Sequence, residues 1–305
     1  MTTTPLLPAW RPGATRDAVL AFLDAAESVP VPQRVAAFDN DGTLWCEKPS
    51  YVQLDFFVDA LQAAVRADAS LGQRTEYAAV LSGDPAAIGA VGLVGIAAAL
   101  AELFEGEEPE EFTARVRDFM GRAHHRTLGV PLSRTVYQPM LELIDELRRR
   151  QFSVFVVTGG GTEFVRAVSD ELYGVPAEAV VGTLVEYEVT RDDEDRPVLR
   201  RTAGIHGTAN EGAAKVANIQ TQLGRRPILA GGNSGGDREM LEWASARGAP
   251  CLALLIDHDD GQREFAYVSK GETVADDEPI TTVGARLGWT VVSMADDWAT
   301  VFPPS

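Results

Sequence analysis

The chain has 305 residues, 45% of them hydrophobic and 24% charged, and a formal net charge of −18 from 27 Lys+Arg against 45 Asp+Glu. That negative field repels nucleic acid and anionic membrane surfaces, so neither is expected as a partner, and an anionic substrate needs a strong local positive source such as a metal ion. The length exceeds the size at which a single core stops growing, so two structural units are expected.

Two cysteines, Cys46 and Cys251, show no zinc-like or disulfide-framework spacing, which fits a reducing, cytoplasmic setting. Met1–Pro5 lacks a basic stretch leading into an apolar one, so no secretory leader is expected. The first dozen residues, rich in Thr and Pro, are expected to lie loosely on the surface. Thr15 is placed to cap a helix carrying Val19, Leu20, Phe22 and Leu23, which ends before Pro30 and Pro32. Val35-Ala36-Ala37-Phe38 then reads as a buried strand running into the turn Asn40-Asp41-Gly42.

From Pro49 to about Ser133 the pattern is helical. Tyr51, Leu54, Val58, Leu61 and Val65 recur at steps of three and four, which predicts one apolar helix face. The run Ala86 to Ala101 is uncharged but mostly Ala and Gly and too short to span a bilayer; it predicts a packed helix or two short ones. Another helix starts at Pro109, with Glu110 and Glu111 in its first turn and Phe112, Val116, Phe119 and Met120 inward. This block reads as a helical insertion.

After Pro139 strands and helices alternate. The pattern predicts a helix over Met140 to Arg150, a strand over Ser153 to Val157, and a helix over Thr162 to Tyr173 closed by Gly174. A β-hairpin near residues 180–202 turns at Asp192-Asp193-Glu194-Asp195. Next come a helix capped by Asn210, a strand over Pro227 to Ala230, a helix over Asp237 to Ala246 and a strand over Cys251 to Ile256. Such alternation predicts an α/β fold, a Rossmann-like, doubly wound parallel sheet interrupted after its first strand by a helical-bundle cap. The expected division is residues 1–47 and 134–305 as core, and residues 48–133 as cap.

Ligands of such sheets bind beyond the carboxyl ends of the strands. Four polar clusters fall there: Asp39-Asn40-Asp41-Gly42-Thr43, Thr158-Gly159-Gly160-Gly161, Lys215, and Gly231 to Asp237. Asp39 and Asp41, two apart behind a buried strand, repel one another unless a cation or a shared proton intervenes. Oxygen-rich turns of this kind suit Mg²⁺. The Thr158 hydroxyl and the backbone N–H groups around Gly159 can hold phosphoryl oxygens. Taken singly, each cluster has a plainer reading: an Asp-Gly chain reversal, a glycine turn, a solvated lysine, a flexible linker.

Phe38-Asp39-Asn40-Asp41-Gly42-Thr43-Leu44, Thr158, Lys215 and Gly232 to Asp237, in that order, resemble the four motifs of the haloacid dehalogenase superfamily of phosphohydrolases. The inserted helices resemble those of its phosphoserine-phosphatase-like branch. The resemblance implies Asp39 as nucleophile, Asp41 as acid and base, and Thr158, Gly159 and Lys215 as phosphate contacts. It implies Mg²⁺ held by Asp39, the Asp41 carbonyl, Asn233 and Asp237, and a small phosphomonoester as substrate. Glu47 lies near where branch relatives place a substrate-binding Glu, at a different spacing. Asn233 stands where the superfamily usually has Asp, so Asp237 is expected to carry more of the attraction for the metal.

Arg115, Arg117, Arg122 and Arg126 are candidates for a substrate carboxylate, each with a solvated-surface alternative. Trp45 and Cys46 are expected to pack at the cap hinge, and His124-His125 has too few partners nearby for a metal site. Asp41 argues for a phosphatase or a mutase over a dehalogenase; a catalytically silent binding module is the alternative from another class. A homodimer is left open.

Overall fold

The computed structural model describes residues 6–246, 248, 250–271, 273–274 and 278–304. Helix α1 (Ala14–Ala25) precedes β1 (Val35–Phe38), whose four residues are all buried. Helices α2 (Val52–Ala67), α3 (Thr75–Ser82), α4 (Pro85–Val91), α5 (Leu93–Glu102) and α6 (Pro109–Arg122) follow before the chain returns to the sheet. Then come α7 (Gln138–Arg149), β2 (Ser153–Gly161), α8 (Thr162–Arg166), α9 (Ser169–Tyr173), β3 (Val180–Arg191) and β4 (Pro197–His206). The remainder is α10 (Ala213–Leu223), β5 (Leu229–Gly232), α11 (Arg238–Ser245), β6 (Leu252–Asp257), α12 (Ile280–Leu287), β7 (Thr290–Ser293) and α13 (Met294–Asp297).

Among the described residues one sheet runs in the order β4-β3-β2-β1-β5-β6-β7. Its pairs are parallel except β3 with β4, the expected hairpin. The continuous apolar run of β1 follows from its central place, where both faces are covered. With β2 on one side of β1 and β5 on the other, the order reverses there, and a crevice opens beyond their carboxyl ends. The fold is α/β and Rossmann-like, as the alternating pattern predicts.

Several local expectations need correcting. Leu7, Ala9 and Trp10 are buried rather than loose: Trp10 packs edge-on against Trp298 and donates its Nε1–H to the Pro139 carbonyl at 2.9 Å. Met1–Pro5, which share that expectation, lie outside the described residues. Gly13 is the α1 cap, and Thr15 reaches across to Asp297 at 3.0 Å. Helix α10 starts from Gly212; Asn210 instead donates to the carbonyls of Thr158 and Val181, at 2.9 and 3.1 Å. The single helix expected after Thr162 is broken into α8 and α9, which closes at Gly174 as expected. The Ala/Gly run forms two short helices, and no helix among the described residues is long and apolar enough to cross a membrane.

The one apolar face expected on α2 is two faces. Leu54, Val58, Leu61 and Val65 pack into a small cluster with Tyr77, Ile96 and Leu100 of α3 and α5. Val52, Phe56 and Ala60, on the other side, join the main core. Phe56 stands at the centre of that junction, with ring centroids 5.4 to 5.6 Å from Phe104, Phe112, Phe119 and Phe164. The Arg201 guanidinium of β4 lies over the Phe112 ring and pairs with Glu163, tying the hairpin to α6 and α8. Through these contacts the inserted helices are anchored on α8 and β4.

Candidate active site

The turn after β1 is drawn tight by Asn40, whose carbonyl accepts the backbone N–H groups of Thr43, Leu44 and Trp45. Its side-chain oxygen accepts the Tyr173 hydroxyl at 2.9 Å, so the turn is also fixed from α9. Gly42 adopts φ 72°, and a Cβ there would lie 2.0 Å from Asn233 Nδ2 and 2.9 Å from Glu47 Cδ. Only glycine permits both the left-handed turn and this close approach.

Asp39, Lys215 and Asp237 meet in the crevice. Lys215 Nζ, on the first turn of α10, donates to Asp39 Oδ1 and to Asp237 Oδ1, each at 2.6 Å. All three side chains are buried. Burial first, and then Asp237, push the Asp39 carboxyl well above its ordinary range, with Lys215 acting the other way. Burial opposes the charge on Lys215, yet the two carboxylates outweigh it and hold the ammonium above its usual value. The other Asp237 oxygen accepts the backbone N–H groups of Asn233 and Ser234 at 3.0 Å. Both Asp237 oxygens thus have partners in the site, one in Lys215 and the other in the 233–234 backbone.

Asp41 faces the second strand. Its Oδ1 accepts Trp45 Nε1 at 2.8 Å, and its Oδ2 lies 3.9 Å from where a side chain on Gly160 would begin. Burial raises the Asp41 carboxyl, and the Trp45 hydrogen bond only partly counters it. Strand β2 runs further than expected, through Thr158 to Gly161. The register with β3 shifts between Val157 and Gly161, so these residues form a bulge. Bulges of this kind re-aim side chains beside active sites. Here Thr158 Oγ accepts the Gly160 N–H at 2.9 Å, and the Gly159 carbonyl accepts the Thr183 hydroxyl at 2.7 Å. Gln53 of α2 reaches the bulge from above and accepts the Gly161 N–H at 2.9 Å.

The structure therefore brings Asp39, Asp41, Thr158, Gly159, Lys215, Asn233 and Asp237 to one crevice. Glu47 is there too, and its carboxylate meets Asn233 Nδ2 at 3.3 Å. The four candidate arginines have other engagements. Arg115 pairs with Glu107, Arg122 with Asp59 and Asp118, and Arg126 with Asp55, while Arg117 donates to the Ala167 carbonyl. Trp45 and Cys46 are buried, and both donate to carboxylates, Asp41 and Glu264. Sequence reading did not find Gln53, His258, Glu264 or Ser269, because none belongs to a motif or a periodic face.

Carboxylates outnumber ammonium groups in this crevice: Asp39 and Asp237 hold Lys215, Asp41 and Glu47 lie in the same site, and burial raises Asp39, Asp41 and Glu47. Among the described residues no three His, Cys, Asp or Glu side chains converge as a metal cage. A mixed set of one or two carboxylates, a carboxamide and a backbone carbonyl remains. Such a set fits Mg²⁺, which keeps several positions for water or substrate oxygens.

A doubly wound sheet with an acid cluster and a buried lysine at its switch point has its ligand site there. Residues 36–242 match the haloacid dehalogenase-like hydrolases, and the chain belongs to that family. Among solved structures it is similar to a protein of unknown function from Bordetella pertussis Tohama I, with 18% identity and a TM-score of 0.52. That match covers 85% of this chain and 98% of the other. It is also similar to a probable phosphoserine phosphatase from Vibrio cholerae, with 12% identity and a TM-score of 0.43, over 80% of this chain and 65% of the other. No curated protein matches the chain.

Proposed function

We propose that the protein is a Mg²⁺-dependent phosphatase of small phosphomonoesters, with residues 48–133 as its cap, acting through an aspartyl phosphate on Asp39. The observation that carries this reading is the buried Asp39–Lys215–Asp237 chain facing Asp41 and the Thr158 bulge. Asp39 Oδ attacks phosphorus as the ester P–O bond breaks, and Asp41 gives its proton to the leaving alkoxide. Asp41 then takes a proton from water, whose oxygen attacks phosphorus. The bond to Asp39 breaks and phosphate leaves. The upward push that burial gives Asp41 suits a group that must hold a proton before it gives it.

Asp39, the Asp41 carbonyl and the Asn233 carboxamide oxygen would hold the cation, with Asp237 positioning Lys215 and the loop. When bound, Mg²⁺ neutralises charge between the incoming phosphate and the carboxylates. Lys215 and the Thr158 hydroxyl stabilise the non-bridging oxygens. Gln53, on the cap side of the bulge, is positioned to sense whether the cap is closed. Two unpaired thiols agree with a cytoplasmic setting.

The test is release of inorganic phosphate from p-nitrophenyl phosphate and from an alkyl phosphate, with Mg²⁺ and with EDTA. Turnover should fall at least roughly a hundredfold in EDTA. A protein that moves phosphate between positions of one substrate without releasing it would be a mutase, and the reading would fall.

Asp41→Asn separates the acid from the nucleophile. Alkyl phosphate turnover should drop about 10²–10⁴-fold, because an alkoxide needs a proton to leave. The p-nitrophenyl ester should lose much less, since its phenolate leaves unaided. Equal losses on both esters would remove Asp41 from the acid role.

A further inference from the structure

We propose that Glu47 is a positioning residue for the cation site: it holds the Asn233 carboxamide with its oxygen toward Asp39 and supplies the charge that Asn233 lacks. The inference rests on the Mg²⁺-dependent reading above. Asn233 is 2% exposed, so its amide must find partners inside the protein. Its Nδ2 lies 3.3 Å from Glu47 Oε1 and 3.4 Å from Ser269 Oγ. Its Oδ1 lies 3.4 Å from Thr43 Oγ, which is also 3.4 Å from Asp39 Oδ2.

His258 does not orient this amide. Its Nε2 is 2.8 Å from the Gly42 carbonyl, which can only accept, so the hydrogen sits there. The 3.5 Å approach of Nε2 to Asn233 Nδ2 is therefore donor against donor. Two amide hydrogens are left facing two acceptors, Glu47 and Ser269. The flipped amide would set its oxygen against the Glu47 carboxylate, an arrangement that repels. Glu47, 6% exposed, thus selects the one orientation that offers a neutral oxygen toward the metal side. Its carboxylate sits on the nitrogen side of the amide, 3.3 Å from Nδ2, while the oxygen faces Thr43.

Glu47 and Asn233 can meet only because residue 42 has no side chain, since a Cβ there would overlap both. A carboxylate on Glu47 with a carboxamide on Asn233 gives the pair one negative charge, the same as Asp at position 233 beside a neutral partner. Exchanging the charge between the two positions should therefore preserve cation affinity, whereas deleting or doubling it should not.

The experiment is Mg²⁺ binding to the substrate-free protein by titration calorimetry, with circular dichroism as the folding check. Four proteins are compared: wild type, Glu47→Gln, Asn233→Asp, and the double variant. Glu47→Gln should weaken binding about tenfold or more, the usual cost of removing a group that orients a ligand. Asn233→Asp alone should gain less than about threefold, because Glu47 already brings one carboxylate to the pair and a second adds repulsion beside it. The double variant should return to within about threefold of wild type, a rescue that a merely structural role for Glu47 would not give. Wild-type affinity in Glu47→Gln, or no rescue in the double variant, would overturn the proposal while leaving the phosphatase reading intact. If Glu47→Gln does not fold, Asn233→Asp still decides: tightening of about tenfold or more means Glu47 already supplies no charge. Absence of Mg²⁺ binding in wild type removes the cation-dependent reading itself, and this inference with it.

Discussion

Asp39→Asn is expected to abolish phosphate release, by more than about 10⁴-fold, in a protein that remains folded. An amide oxygen of the same shape can still accept from Lys215, but it cannot form an acyl phosphate. Lys215 also keeps its second partner, Asp237, at 2.6 Å. Stability should not fall and is expected to rise slightly, because the ionised Asp39 is disfavoured by burial and by Asp237. Sites built for reaction often carry such a cost. The linkage has a definite sign. A carboxyl raised in the folded state stabilises fully below its unfolded pKa, and that contribution is lost as pH rises through the folded value. Metal-free wild type should therefore lose stability from about pH 4 upward, and Asp39→Asn should lose less over that range. Phosphate release and thermal melts across pH check both halves. Activity within tenfold of wild type would end the nucleophile assignment.

Much of this site was legible in the sequence because its residues sit where chain geometry is simple. Asp39 follows four buried residues, and a strand of that kind in a parallel sheet ends at the ligand-binding edge. In the sequence Lys215 stands out only by motif order, and the fold buries it between two carboxylates. The parts that were not legible depend on distance in space. In the sequence Glu47 suggests a substrate contact only by lying just past the first motif, at a spacing that differs from that of the branch relatives. Its partner Asn233 is 186 positions away, and only the fold brings them together. His258 and Glu264 are equally remote in sequence from the turn they support, through the Gly42 carbonyl and Cys46. Asn210 shows the opposite error. A residue type that favours helix caps was read locally, while its amide in fact holds β2 and β3 together at the bulge.

The two faces of α2 carry the same lesson for packing. A regular spacing of three and four identifies an apolar stripe, but it says nothing of a second stripe carried by Val52, Phe56 and Ala60. That second stripe anchors the inserted helices on α8, with Phe56 against Phe164 at 5.5 Å. Gln53 lies next to Val52, at the start of this anchored helix. Its hydrogen bond to Gly161 follows from where the anchor sets it, a link from packing to the chemistry of the bulge.

Lys215→Met should be the most destabilising single change in the crevice. It removes the ammonium that lies 2.6 Å from both Asp39 and Asp237, and puts an apolar chain of similar length between two buried carboxylates. Breaking a buried ion network by deleting one partner typically costs about 3–5 kcal/mol, because the charge left behind has neither water nor a counter-ion. Asp237 keeps its two backbone donors from Asn233 and Ser234, so the larger share of the penalty falls on Asp39. Without Lys215 the influence that lowers the Asp39 carboxyl is gone, and burial and Asp237 raise it further. A proton then relieves the repulsion. The loss should be smallest at about pH 5 and should grow toward about pH 8, since stability from a raised carboxyl disappears as pH climbs through its folded value. Mg²⁺ should restore part of the stability at the higher pH, by mass action on the folded state alone. Turnover should fall about 10²–10³-fold even when the metal is saturating, because the charge aimed at the phosphoryl oxygens is missing. Urea unfolding at the two pH values, each with and without Mg²⁺, measures the first three effects. A stability loss independent of pH would mean that Lys215 supports the fold through packing and not through its charge.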